Sequence, residues 1–144
     1  MKIVIQDVPA GDEEEIIIKC HEMSNELIQL LSAIKATEQI VGYEDNRIHR
    51  ITPSDVYYFE AVDSKVFIYC RQKVFESKQK LYELESQFLN SDIMRISKSV
   101  ILNIKKILSL NPTFSGRFEA MLDNGEKVII SRQYVPALKK KLNI

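Results

Sequence analysis

MRISKSVILNIKKILSL, residues 94–110, followed after six residues by RFEAMLDNGEKVIISRQY, residues 117–134, decides the fold class of this chain. Met94–Ile96 and Val100–Leu110 are rich in β-branched residues and leucine, which suit a pleated, buried surface, and Ser97-Lys98-Ser99 breaks them apart. Arg117–Leu122 and Lys127–Ser131 flank Asp123-Asn124-Gly125. Asn and Gly accept positive φ cheaply, so this tripeptide marks a hairpin. The segment reads as successive antiparallel strands.

Outward from it the same pattern continues. Asn46–Ile51, Val56–Ala61, Lys65–Cys70 and Gln72–Glu76 are further strands, and Gln39–Val41 with Gly42 behind it begins the series. Ser77 is expected to cap a helix on which Leu81, Leu84 and Phe88 recur at helical spacing. Tyr134, Leu138 and Leu142 line a last short helix, with Pro136 limiting where it begins. Upstream, Lys2–Asp7 and Glu15–Lys19 read as two strands joined by an acidic turn. Ser24 then caps a helix with Leu27, Leu30, Leu31 and Ile34 on one face. The expectation is a mainly β protein with some α: a short ββα unit over residues 1–45 and a β-rich domain over 46–144.

Formal net charge is zero over 144 residues, yet its distribution is uneven. Residues 1–52 carry five basic side chains against ten acidic, and residues 53–144 carry fifteen against ten. From Ile93 onward the count is ten against three. An acidic N-terminal part joined to a basic C-terminal part predicts that the C-terminal part binds an anion.

The sequence offers little to an enzyme. It has no phosphate-binding glycine motif and no nucleophile elbow. His21 and His49 are its only histidines, too few for a metal or catalytic constellation, so no cofactor, metal or small-molecule substrate is expected. Cys20 and Cys70 read as free thiols. With no run of 18 apolar residues and no signal-peptide pattern, a cytoplasmic location is expected.

Polar and basic residues stand where strands break: Asp63-Ser64-Lys65, Ser97-Lys98-Ser99, Asn103 with Lys105 and Lys106, and Ser131-Arg132-Gln133. Arginine can make a bidentate contact to guanine and asparagine to adenine, while lysine and serine suit phosphate oxygens. Read blandly, an isolated Lys105-Lys106 pair is a solvated face or a protected sheet edge.

The order and spacing of several stretches resemble a LytTR domain, the DNA-binding module of LytR/AlgR-type response regulators. They are Ile51–Ala61, Leu81–Glu85, Met94–Ile104, Leu122–Glu126 and Val128–Tyr134. The resemblance implies an elongated stack of small antiparallel sheets that enters successive major grooves with loops instead of a recognition helix. It matches Asn103 and Arg132 to base-contacting residues. Ser64 and Lys65 fall in the first reading loop, where some members carry a histidine that this chain lacks. Lys98 and Ser99 match a phosphate-binding position, and Lys105 and Gln133 complete the expected DNA-binding set. Only about 45 residues precede the β-rich domain, too few for a receiver, so a stand-alone regulator is expected, and the family's company implies control by a membrane-bound partner protein. A homodimer is expected, with the 1–45 unit and its Leu27, Leu30, Leu31 and Ile34 stripe as its dimerisation or regulatory element.

Two functions compete at this stage. One is a sequence-specific DNA-binding transcription regulator. The other is a β-rich protein-interaction module that binds no DNA and uses the same loops.

Overall fold

The computed structural model describes residues 2–36 and 40–144. The elements in order are α1 (Asn25–Ala36), β1 (Ile40–Glu44), β2 (Arg47–Ile51), β3 (Val56–Val62), β4 (Lys65–Cys70), β5 (Val74–Ser77) and α2 (Leu81–Gln87). They continue with β6 (Ile93–Arg95), β7 (Val100–Asn103), β8 (Ile107–Pro112), β9 (Phe118–Leu122), β10 (Lys127–Ile130) and α3 (Val135–Leu142). Every ladder is antiparallel. Seven strands form one sheet in the order β2-β1-β5-β4-β3-β7-β6, and three form a second in the order β10-β9-β8. The mainly β architecture is as expected, with the sheets numbering two among the described residues. The larger narrows to one paired position, Tyr43 with Glu76, between β1 and β5.

The larger sheet is covered on both faces. Phe59, Ile68 and Ile101 pack in one core with Leu84 of α2 and with Phe88 at its C-terminal end. Tyr57 and Leu102 pack in a second core with Ala120, Leu122, Ile130 and Leu138, from the small sheet and α3. Successive side chains on a strand point to opposite faces, so Ile101 and Leu102 enter different cores, each fully buried. This explains why Val100–Leu102 reads as apolar at every position: a strand buried on both faces loses its alternation. Each such side chain stabilises the fold by about 1.5–3 kcal/mol.

The run bends at one place. A single helical turn at Ile104–Lys106 separates β7 from β8 and carries the chain from the large sheet to the small one. Asn103 builds this corner. Its Nδ2 donates to the Val56 carbonyl at 2.9 Å, and its Oδ1 accepts the Lys105 N–H at 3.2 Å.

The structure departs from several of these expectations. Residues 2–8 and 15–19 form no strand ladder. They run side by side, with the Asp12 N–H donating to the Pro9 carbonyl between them at 3.1 Å. The expected boundary at 45/46 falls inside the turn of the β1–β2 hairpin, and Ile40 of β1 is buried in the first core. Ser77 ends β5 instead of capping α2, its Oγ accepting the Gln79 N–H at 3.0 Å. At α2 the Glu83 carboxylate accepts the Lys80 N–H at 3.1 Å, which satisfies an otherwise orphaned donor. The expected strand start at Gln39 lies outside the described residues.

Other features agree. The Ser24 Oγ accepts the Leu27 N–H at 3.2 Å and caps α1. Leu27 is buried, Leu31 and Ile34 half-buried and Leu30 exposed, and Ala33 shares a hollow with Pro53 and Phe88, so α1 leans on the main body. Pro136 sits in the first turn of α3, where a missing N–H costs nothing. Cys20 and Cys70 are free, and burial, with Asp55 nearby, pushes the Cys70 thiol up to about 11. No helix among the described residues is long and apolar enough to cross a membrane.

Candidate nucleic-acid interface

The Ser97–Ser99 corner between β6 and β7 is built tightly. Ile96 and Ser97 both donate backbone N–H groups to the Val100 carbonyl, at 3.0 and 3.4 Å, and the Ser97 Oγ accepts the Ser99 N–H at 3.3 Å. Arg95 clamps the corner from inside. Its Nε donates to the Ser97 carbonyl at 2.8 Å and its Nη2 to the Lys98 carbonyl, while its Nη1 meets Glu85 Oε2 at 2.8 Å. A guanidinium offers five donors in a rigid fork, so one side chain spans three acceptors. The corner's carbonyls face the clamp, and the Lys98 side chain is left exposed.

Two more hydrogen bonds fix neighbouring segments to this corner. The Ala61 N–H donates to the Ser99 carbonyl at 2.8 Å, which holds the end of the β3–β4 hairpin. The Ser131 N–H donates to the Ile96 carbonyl at 2.8 Å, which holds the turn that carries Arg132. That turn closes with the Tyr134 N–H on the Ser131 carbonyl at 2.9 Å. Gly116, at φ +75°, lies against the Arg132 stem, and a Cβ there would come within 3.2 Å of Arg132 Cγ. Beside it, Thr113 donates both its N–H and its hydroxyl to the Arg117 carbonyl, at 2.8 and 3.1 Å.

Together these segments enclose an open cleft of about 620 Å³, lined by Ser97, Lys98, Ser99, Arg117, Ser131, Arg132 and Gln133. No carboxylate lines it. Among the described residues, none of the Lys98, Arg117 and Arg132 side chains is held by an intramolecular acceptor. Three free cations on a fixed frame attract phosphate and leave their donors available for base edges. A neighbouring groove shares Ser97, Arg117 and Ser131 and is walled by Tyr58 and Lys127. Tyr58 stacks on Tyr69 with ring centroids 4.3 Å apart, and burial, then Glu126, raises its hydroxyl above the usual phenol range.

Of the residues expected from sequence, Lys98, Ser99, Arg132 and Gln133 line this cleft. Ser64 and Lys65 are exposed at the tip of the β3–β4 hairpin, the hairpin whose Ala61 holds Ser99. Asn103 is a correction. It is 4% exposed, with its amide turned inward to the Val56 carbonyl and the Lys105 N–H, so it is not presented to a base edge. Lys105 lies outside the cleft, at the far end of β7 from the Ser97–Ser99 corner, its exposed ammonium 3.3 Å from Asp92. Arg117, Arg95 and Gly116 were missed. The Ser115-Gly116 turn signal beside Arg117 was legible, whereas the Arg95 clamp depends on tertiary contacts.

Arg95→Ala is expected to free the corner without unfolding the sheet, and the amides of Ser97–Ser99 should exchange with solvent roughly tenfold faster. Arg95→Lys should not restore protection, because one ammonium cannot span two carbonyls and Glu85. Residue-resolved hydrogen exchange measures both.

A family model described as the LytTr DNA-binding domain matches residues 46–143. The chain belongs to the LytTR DNA-binding domain family. A solved LytTR domain, from a methyl-accepting/DNA response regulator of Bacillus cereus, superposes with a TM-score of 0.69 at 25% identity, covering 74% of this chain and 97% of that one. A Staphylococcus aureus protein described as an uncharacterized HTH-type transcriptional regulator is 34% identical over 142 residues, 93% of this chain and 94% of its own length. The sensory transduction protein LytT of Enterococcus faecalis is 28% identical over 138 residues, and the match spans 57% of LytT. Despite the HTH description of the staphylococcal relative, this LytTR chain shows no helix-turn-helix among its described residues, since five strands separate α1 from α2. Its LytTR domain presents strand-end loops.

Proposed function

We propose that this LytTR protein regulates transcription by reading the major groove of double-stranded DNA through the loops at one edge of its sheets. The observation that carries the reading is the carboxylate-free cleft with Lys98, Arg117 and Arg132 unpaired on a hydrogen-bonded frame. Arg132, whose stem lies along Gly116, is the base reader, and its planar fork suits the two acceptors of guanine. Lys98, Ser99 and Arg117 hold phosphates, with Gln133 beside them. Ser64 and Lys65 reach the backbone or a neighbouring groove from the β3–β4 tip. The protein acts in the cytoplasm as a homodimer on repeated half-sites, with a membrane-bound protein as its regulating partner.

In vitro selection of bound duplexes tests the reading. A single recurrent motif supports it, whereas no enrichment over random DNA turns the choice to a protein-interaction module. Phosphate contact is tested separately. Lys98→Ala should weaken binding to the selected site and to random DNA alike, and should reduce the slope of log K against log salt by about 1. Fluorescence anisotropy titrations at several salt concentrations measure the slope, and an unchanged slope would place Lys98 off the backbone.

A further inference from the structure

The N-terminal segments are the part of the fold that the DNA-binding reading leaves unused. Residues 2–8 and 15–19 lie alongside each other, yet no ladder satisfies their backbones. Lys2, Val4, Gln6 and Val8 line one shallow groove with Glu15, Ile17 and Lys19. By alternation the other face carries Ile3, Ile5, Ile16 and Ile18. On that face Ile3 is 85% exposed, Ile5 88% and Ile16 71%, with Ile18 half-buried, and Ile17 on the groove side is 65% exposed. A two-stranded piece of this kind is marginal alone and gains stability from added strands, and its open edges are templates for pairing.

The sequence of the second segment names the occupant. Glu15-Ile16-Ile17-Ile18-Lys19 is complementary to its own reverse, acidic at one end, basic at the other and apolar between. We infer that Glu15–Lys19 pairs antiparallel with the same segment of a second copy of this chain, across a two-fold axis at Ile17. The inference rests on the dimeric reading above and supplies its interface. In this register Glu15 faces Lys19 of the second copy, twice by symmetry, and the isoleucines face one another. A parallel pairing would oppose like charges at both ends, which is destabilising. A slip by one residue would break both ion pairs and set each charge against an isoleucine. The antiparallel arrangement also sets the two acidic turns, Asp12 to Glu14, at opposite ends of the joint, each near Lys19 of the other copy.

Charge reversal in the full chain tests this, with sedimentation velocity at low salt as the readout. Glu15→Lys sets cation against cation, and Lys19→Glu sets anion against anion. Each should weaken self-association about tenfold, since two symmetric cross-strand pairs change from attractive to repulsive. The double variant, Glu15→Lys with Lys19→Glu, recreates the complementary pairs and should return to within about twofold of the unaltered chain. If the chain dimerises but the single reversals leave its affinity unchanged, or the double variant stays as weak as the singles, the joint lies elsewhere and only this inference falls. If the unaltered chain is monomeric at high concentration and on a two-site duplex, the dimeric reading falls with it.

Discussion

Arg132→Ala is expected to weaken binding to the selected DNA site by about 1–3 kcal/mol while leaving binding to random duplex nearly unchanged. The asymmetry follows from where the side chain sits. The Arg132 stem lies along Gly116, in a turn hydrogen-bonded through Ser131 to Ile96, and no intramolecular acceptor holds the guanidinium among the described residues. Such a group breaks no internal hydrogen bond on docking and can give both of its parallel donors to one base. Competition titrations with duplexes altered at each position in turn should show relaxed preference at one base pair. Equal losses on every duplex would make Arg132 a phosphate contact instead.

Asn103→Ala should do the opposite: cost stability and spare selectivity. Removing the amide leaves the Val56 carbonyl without its donor and the Lys105 N–H without its acceptor at the corner between the sheets. An unsatisfied buried group of this kind costs about 2 kcal/mol, which corresponds to a fall of roughly 6–10 °C in melting temperature for a domain of this size. Calorimetry together with binding measured well below the transition checks both halves. A variant as stable as the unaltered chain that had lost one base preference would return Asn103 to the DNA.

The contrast between these two residues shows what the sequence made legible. Strands with a β-branched pattern and a turn at Asp123-Asn124-Gly125 are local features, so the strand order from Asn46 onward could be read directly. Lys98, Ser99, Arg132 and Gln133 stood in polar breaks between strands, where exposed side chains are ordinary, and the structure gathers them. Asn103 stood in an apolar run, where a polar residue has two readings: a functional group held out to solvent, or a buried one satisfied by backbone. Its partner, the Val56 carbonyl, is 47 positions away, and nothing local announced it. The Arg95 clamp escaped in part for the same reason, since Glu85 meets it only after α2 docks on the sheet, while its bonds to the corner carbonyls are local. The N-terminal strands misled through alternation, because pattern alone does not supply a partner for the backbone.

The alternation of Ile101 and Leu102 between two cores has a consequence for how the domain holds together. Neither layer owns its wall: strand β7, and β3 through Tyr57 and Phe59, furnish both at once. Peeling the small sheet and α3 away would strip one side of the strand whose ends carry the Ser97–Ser99 corner and the Asn103 turn. The LytTR body therefore has no detachable half. A fragment ending at the corner would lack the arginine turn and also lose the support that keeps the lysine corner in shape, so the reading edge exists as a whole or not at all.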